Sequence, residues 1–139
     1  FPRGLLTLGD ALCRFNPVYG QGMSVAAQEG LLLRDFLGAR QGLADPLEKL
    51  APDFFAGCAR LIETPWEIAA LPDLILPSTH GERPPDLRAR LKASFAIHAL
   101  AAEDPEVHRV HMEVVHLLKP RSAYFEGELG ARLQAHLAR

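Results

Sequence analysis

The stretch that most constrains the fold lies within the first forty residues. There an apolar run, Leu5-Leu6-Thr7-Leu8, leads into Gly9-Asp10, then a turn holding Pro17, Gly20 and Gly22, and then a helical pattern. The run has no polar alternation apart from Thr7, which predicts a β-strand covered on both faces, as in a parallel sheet with helices packed on it. A single strand leaves its backbone donors and acceptors unmatched. Its partners are therefore expected outside this sequence, and with Phe1 in first place and no initiator methionine the expectation is a C-terminal fragment of a larger protein. After the turn, Met23, Ala26, Gly30, Leu33 and Leu37 recur at helical spacing, and Gly38 supplies the stop.

Beyond residue 40 the chain reads as helix after helix. Asp45-Pro46 with Glu48, and Thr64-Pro65 with Glu67, each place a capping side chain first, Pro at the first helical position and Glu shortly after. Leu47, Leu50, Phe54, Cys58 and Leu61 form the apolar stripe of one helix, and Pro52 predicts a kink or a later start in it. Residues 71–85 hold Pro72, Pro77, Gly81, Pro84 and Pro85 and read as an irregular connection. Leu87, Leu91, Phe95 and Ala99 line the next helix. Asp104-Pro105 opens another, carrying Val107, Val110, Val114 and Leu117 until Pro120 stops it, and a last amphipathic piece runs from about Ala123 to Leu137. The expected organisation is a strand, loop and helix over residues 1–40 and a helical region over 41–139.

Composition narrows the function classes. A net charge of -2 gives no global footprint for nucleic acid or an acidic membrane surface. Two cysteines, Cys13 and Cys58, and no charged-then-apolar leader point to a reducing, cytoplasmic setting. No apolar run approaches the ~20 residues of a membrane span. The 11 glycines and 11 prolines sit at the ends of apolar segments, as punctuation.

The chemistry gathers where the strand meets the turn. A carboxylate at a strand end, here Asp10, is placed to accept hydrogen bonds from sugar-type hydroxyls. Gly20 and Gly22 remove side chains where backbone must approach a flat ligand, and the helix they open directs unmatched N–H groups and a positive dipole end toward it. Gly-Asp after a strand, or Pro-x-x-Gly-x-Gly before a helix, is each ordinary turn chemistry; the two in register carry the signal.

Gly9-Asp10-Ala11, then Pro17, then Gly20-Gln21-Gly22-Met23 at the start of a helix, resembles the second FAD-binding fingerprint of the flavin-dependent aromatic hydroxylase and squalene epoxidase superfamily. The likeness covers about Gly4 to Leu37 and includes the spacing between its two halves. The remainder, including Thr64-Pro65-Trp66 and Arg83-Pro84-Pro85, is more loosely similar to the C-terminal part of bacterial FAD-dependent oxidoreductases. The resemblance implies a mainly α chain with an N-terminal β-strand and flavin-facing loop, a C-terminal piece of an α/β, glutathione-reductase-like Rossmann FAD-binding fold. It implies FAD as cofactor, with NAD(P)H as reductant in the parent, and oxygenation of an organic, lipophilic substrate.

By the same resemblance Gly9 and Asp10 would meet the ribityl hydroxyls and Pro17 the isoalloxazine edge. The backbone of Gly20, Gln21, Gly22, Met23 and Ser24 would approach the flavin N1 and C2 carbonyl. Cys13 stands where many members have His, and Ser24 where Asn often follows. No residue stands out as a general acid or base, which suits chemistry carried by a cofactor. No Gly-x-Gly-x-x-Gly turn occurs to hold a pyrophosphate, so the isolated chain is expected to bind FAD poorly. A flavin-dependent reductase, dehydrogenase or halogenase would use the same loop. A free-standing helical interaction module would not need it.

Other signals are weaker. His108, His111 and His116 do not share one helical face, so no metal site is expected. Cys13 and Cys58 read as packing thiols, Trp66 as a core aromatic, and Arg34, Arg40, Arg88, Arg90 and Lys92 as solvated faces.

Overall fold

The structure is a computed structural model that describes residues 2–138. Among these the regular elements are all helical: α1 Gly22–Ala39, α2 Leu50–Asp73, α3 Leu87–Glu103, α4 Pro105–Val115 and α5 Gly127–Leu137, with 3₁₀ turns at Gly9–Ala11, Pro17–Tyr19 and Arg121–Phe125. The chain divides within α2 into one unit ending at Glu67 and a second beginning at Ile68, so the expected division after residue 40 falls inside the first.

The expected N-terminal strand is not formed, and with it falls the α/β Rossmann-like assignment. Among the described residues there is no strand and no sheet. Leu5 donates its N–H to the Pro2 carbonyl across a turn in which Gly4 takes φ +80°, the geometry that Pro-x-Gly favours. The run that follows is not covered on both faces, since Leu5 and Leu8 are exposed. Apolarity alone signalled the strand; a ladder needs a second edge, and no described segment offers one.

In the first unit α1 starts and ends close to its expected limits. Asp45-Pro46 does not open α2. The Asp45 carboxylate instead accepts from the Leu47 N–H at 3.1 Å in a turn, and Lys49, at φ +53°, precedes the helix. Pro52 then falls in the first turn, where its missing N–H costs nothing. Thr64-Pro65 does not open a helix either: α2 runs through it, and Pro65 is fully buried. The core is built on Phe54, which meets Phe36 edge-on at 6.3 Å. Gly57 faces α1 so closely that a Cβ there would lie 2.9 Å from a Leu32 methyl. Arg40, expected in solvent, pairs with Asp53 at 2.6 Å and lies over the Phe36 ring.

The second unit packs α3, α4 and α5 around Ile97, Leu100, Val107, Val114, Tyr124 and Leu133. Asp104 caps α4 as its sequence predicts, accepting from the N–H groups of Glu106 at 2.8 Å and Val107 at 3.4 Å. The Arg132 guanidinium of α5 reaches the same carboxylate at 2.5 Å, and that contact above all holds the Asp104 carboxyl below its ordinary range. α4 stops at a left-handed Leu117, φ +61°, three residues before Pro120. In the Pro-rich connection after α2, Arg83 donates to the carbonyls of Leu74, Leu76 and Thr79, tying together a stretch of successive backbone turns.

Candidate functional site

The turn between the Gly9–Ala11 3₁₀ segment and α1 is set by local chemistry. Asn16 Oδ1 accepts from the Val18 N–H at 3.1 Å and so starts the Pro17–Tyr19 turn. Gly20 closes it at φ +67°, a conformation costly to residues with a Cβ. The chain then enters α1, whose first internal bond runs from the Val25 N–H to the Gln21 carbonyl at 3.0 Å. The N–H groups of Gly22 and Met23 precede that bond and have no helical carbonyl to meet.

Asp10, Pro17, Gly20, Gly22 and Met23 thereby come together around one groove of about 380 Å³, completed by Phe15 and Ala26. Five of the eight expected site residues share it. Asp10 and Met23 are exposed at its rim, while Phe15 is buried and forms its floor. A Cβ on Gly22 would lie 3.9 Å from Asp10 Oδ1, in ordinary contact with it, which places the start of α1 beside that carboxylate.

The other three lie elsewhere. Ser24 sits in the first turn of α1 outside the lining, and Gln21 is fully buried just before the helix. Gly9 is behind the groove, at φ +56°, and donates its N–H to Glu29 Oε2 at 2.6 Å.

Glu29 is the residue that sequence reasoning missed. It is fully buried on α1, twenty positions from the glycine it holds. Through that bond it ties the backbone immediately before Asp10 to α1. Its second oxygen, Oε1, is buried with no hydrogen-bond partner among the described residues. The available signal was an acid four positions after Val25, within an otherwise apolar helical stripe.

No family model matches the chain. The chain is similar to Protein Rv3254 of Mycobacterium tuberculosis, at 34% identity over 74 residues. That stretch is 53% of this chain but spans 15% of the relative's length.

The groove's volume falls at the low end of small-ligand sites, which run from about 300 to 1,000 Å³. Its chemistry fits the flavin portion of FAD: an exposed carboxylate for hydroxyl donors, backbone N–H groups at the start of α1 for a carbonyl or ring nitrogen, and apolar Phe15, Pro17 and Ala26 for a flat ring.

Beside it lies a second, apolar cleft of about 370 Å³ lined by Leu12, Cys13, Phe55, Cys58, Ile62 and Trp66. Trp66, expected in the core, is 56% exposed on its wall. Burial, followed by the Glu29 charge, pushes the Cys13 thiol up and the Cys58 thiol to about 11. The histidines also differ from expectation in one respect. His111 meets the His98 ring edge-on at 4.9 Å and shares a 2.9 Å hydrogen bond with the Tyr124 hydroxyl. Among the described residues, no three His, Cys, Asp or Glu side chains converge as metal ligands. No described helix is long and apolar enough to cross a membrane.

Proposed function

We propose that this chain supplies the flavin-facing wall of an FAD-dependent oxidoreductase, of the monooxygenase type that uses NAD(P)H and oxygen on an organic, lipophilic substrate. The observation that carries this reading is the meeting of Asp10, Pro17, Gly20, Gly22 and Met23 around one groove. When bound, FAD supplies the electron transfer and oxygen chemistry that no side chain here can perform.

The chain's own part is to bind and orient. Asp10 accepts from ribityl hydroxyls, and the Glu29 to Gly9 bond holds the backbone next to it. The N–H groups at the start of α1 donate to the pyrimidine side of the ring, and the helix dipole favours negative charge there. Pro17 and Phe15 wall the ring edge from water. No general acid or base is assigned. The adenosine and pyrophosphate contacts come from residues outside this sequence, and the helical fold around the groove needs no strand of its own to shape it.

The test uses the complete protein that carries this sequence. Asp10→Ala should lower its flavin affinity by about 10- to 100-fold, the worth of a hydrogen bond to a charged group, read as lost flavin absorbance after dialysis. Full retention of flavin would overturn the reading. Oxygen consumption driven by NADPH, with and without candidate substrates, separates a monooxygenase from a reductase, dehydrogenase or halogenase. Concentration-dependent association of the chain, with no flavin bound by the complete protein, would instead support an interaction module.

A further inference from the structure

We propose that Cys13 and Cys58 form an oxidation site, in which peroxide oxidises Cys13 and Cys58 completes the reaction to an intrachain disulfide. The chain has two cysteines, and both line the same apolar cleft although 45 positions separate them. Their exposure sets the order of events: Cys13 is half-buried and open to a small oxidant, whereas Cys58 is 1% exposed and can meet an oxidised sulfur only from within the cleft.

The steps balance with hydrogen peroxide as oxidant. The Cys13 thiolate attacks one peroxide oxygen; an S–O bond forms, the O–O bond breaks, and the hydroxide released takes up the thiol proton as water. The Cys58 sulfur then attacks the Cys13 sulfenic sulfur. An S–S bond forms, the S–O bond breaks, and the hydroxyl leaves with the Cys58 proton as a second water. Two thiols lose two electrons and one peroxide gains them.

The surroundings favour this end point over further oxidation. A disulfide is neutral, while a sulfinate is an anion that the walls of Leu12, Phe55, Ile62 and Trp66 would have to desolvate. Glu29, whose charge acts on both thiols, also opposes a second anion. The same two influences make the thiolates scarce at neutral pH. The reaction is therefore slow there and should accelerate by about tenfold for each unit by which pH is raised, until the thiol range is reached.

The experiment treats the 139-residue chain with hydrogen peroxide at several pH values, removes the peroxide, unfolds the chain in guanidinium chloride so that buried thiols are reachable, blocks remaining thiols with N-ethylmaleimide, and measures intact mass and a peptide map. The expected product has lost two hydrogens, gained no oxygen, contains a linked Cys13 and Cys58 peptide pair, and reverts with dithiothreitol. In Cys58→Ser, Cys13 should gain oxygen instead; in Cys13→Ser, Cys58 should remain blockable and unoxidised. Oxygen accumulating on Cys13 of the parent chain while Cys58 stays free would overturn the proposal, as would disulfides solely between chains. Circular dichroism checks that each variant folds, and the parent chain's peptide map decides the matter if one does not.

Discussion

Up to Glu67 the molecule buries a carboxylate, an amide and a thiol among its apolar side chains; from Ile68 onward the buried set is apolar except for Tyr124, whose hydroxyl meets His111. Both units are helical, so secondary structure is not what distinguishes them. The second is organised by packing and by capping groups at its surface. In the first, Glu29 is kept inside although one of its oxygens is unmatched, a cost that packing does not recover. That cost sits one hydrogen bond from Asp10. Departures from local consistency of this kind are expected at functional or strained positions, and under the proposed reading Glu29 holds the backbone next to Asp10.

The largest break in the comparison should come from the second unit. A Cβ on Gly130 would lie 2.3 Å from the Phe125 carbonyl oxygen, a backbone atom that cannot swing aside. Gly130→Ala should therefore cost about 3 kcal/mol or more. Urea unfolding followed by circular dichroism reads the loss in α3 to α5, while the fluorescence of Trp66, the single tryptophan, reads the first unit. An early helical transition with an unchanged tryptophan transition shows that the units unfold separately. Equal shifts in both signals would show that their contrast is one of composition, not of cooperativity.

A smaller effect separates the two kinds of core. Glu29→Leu should fit the apolar stripe of α1 yet destabilise the first unit by about 2 kcal/mol, because the Gly9 N–H loses its acceptor. Glu29→Gln keeps an acceptor and should cost less than about 1 kcal/mol. If Leu proves as stable as Glu, the Gly9 bond contributes nothing, and the first unit is held by packing in the same way as the second.

What the sequence disclosed follows the same division. The second unit was legible because its signals are local: Asp104-Pro105 caps α4, and Val107 and Val114 fall on the buried side of its stripe. The groove was legible because Asn16, Pro17 and Gly20 fix a turn within five residues. The failures involve distance. Leu5 to Leu8 had strand composition, but pairing depends on a second segment that the pattern cannot supply. Thr64-Pro65 looked like a helix start, yet α2 runs through it with Pro65 buried, a packing against other segments that the local pattern does not contain. Glu29 acts on a glycine twenty positions away, and Trp66 is exposed on a cleft wall that residues 12 and 13 complete.

The smallest predicted effect concerns a part-buried polar contact of the second unit, between His111 and Tyr124. Burial, then the His98 and His108 charges, hold His111 below its ordinary pKa, while burial raises the Tyr124 hydroxyl to about 12, so the phenol stays protonated throughout. Tyr124 on one side and His98 on the other face the ring, with Arg121 acting on Tyr124. Because the folded state binds the His111 proton less readily than the unfolded chain, its contribution is complete above an unfolded pKa of about 6.5. It is lost as pH falls from there through the lowered folded value. The change should stay under ~1 kcal/mol, since solvent reaches the exposed His98 beside it and screens the charges. Urea midpoints between pH 7.5 and 5 should fall more steeply for the parent than for His111→Gln, which keeps a polar partner for Tyr124 without a titrating ring. Parallel slopes would show that the second unit is indifferent to this contact and is held by its packing and its caps.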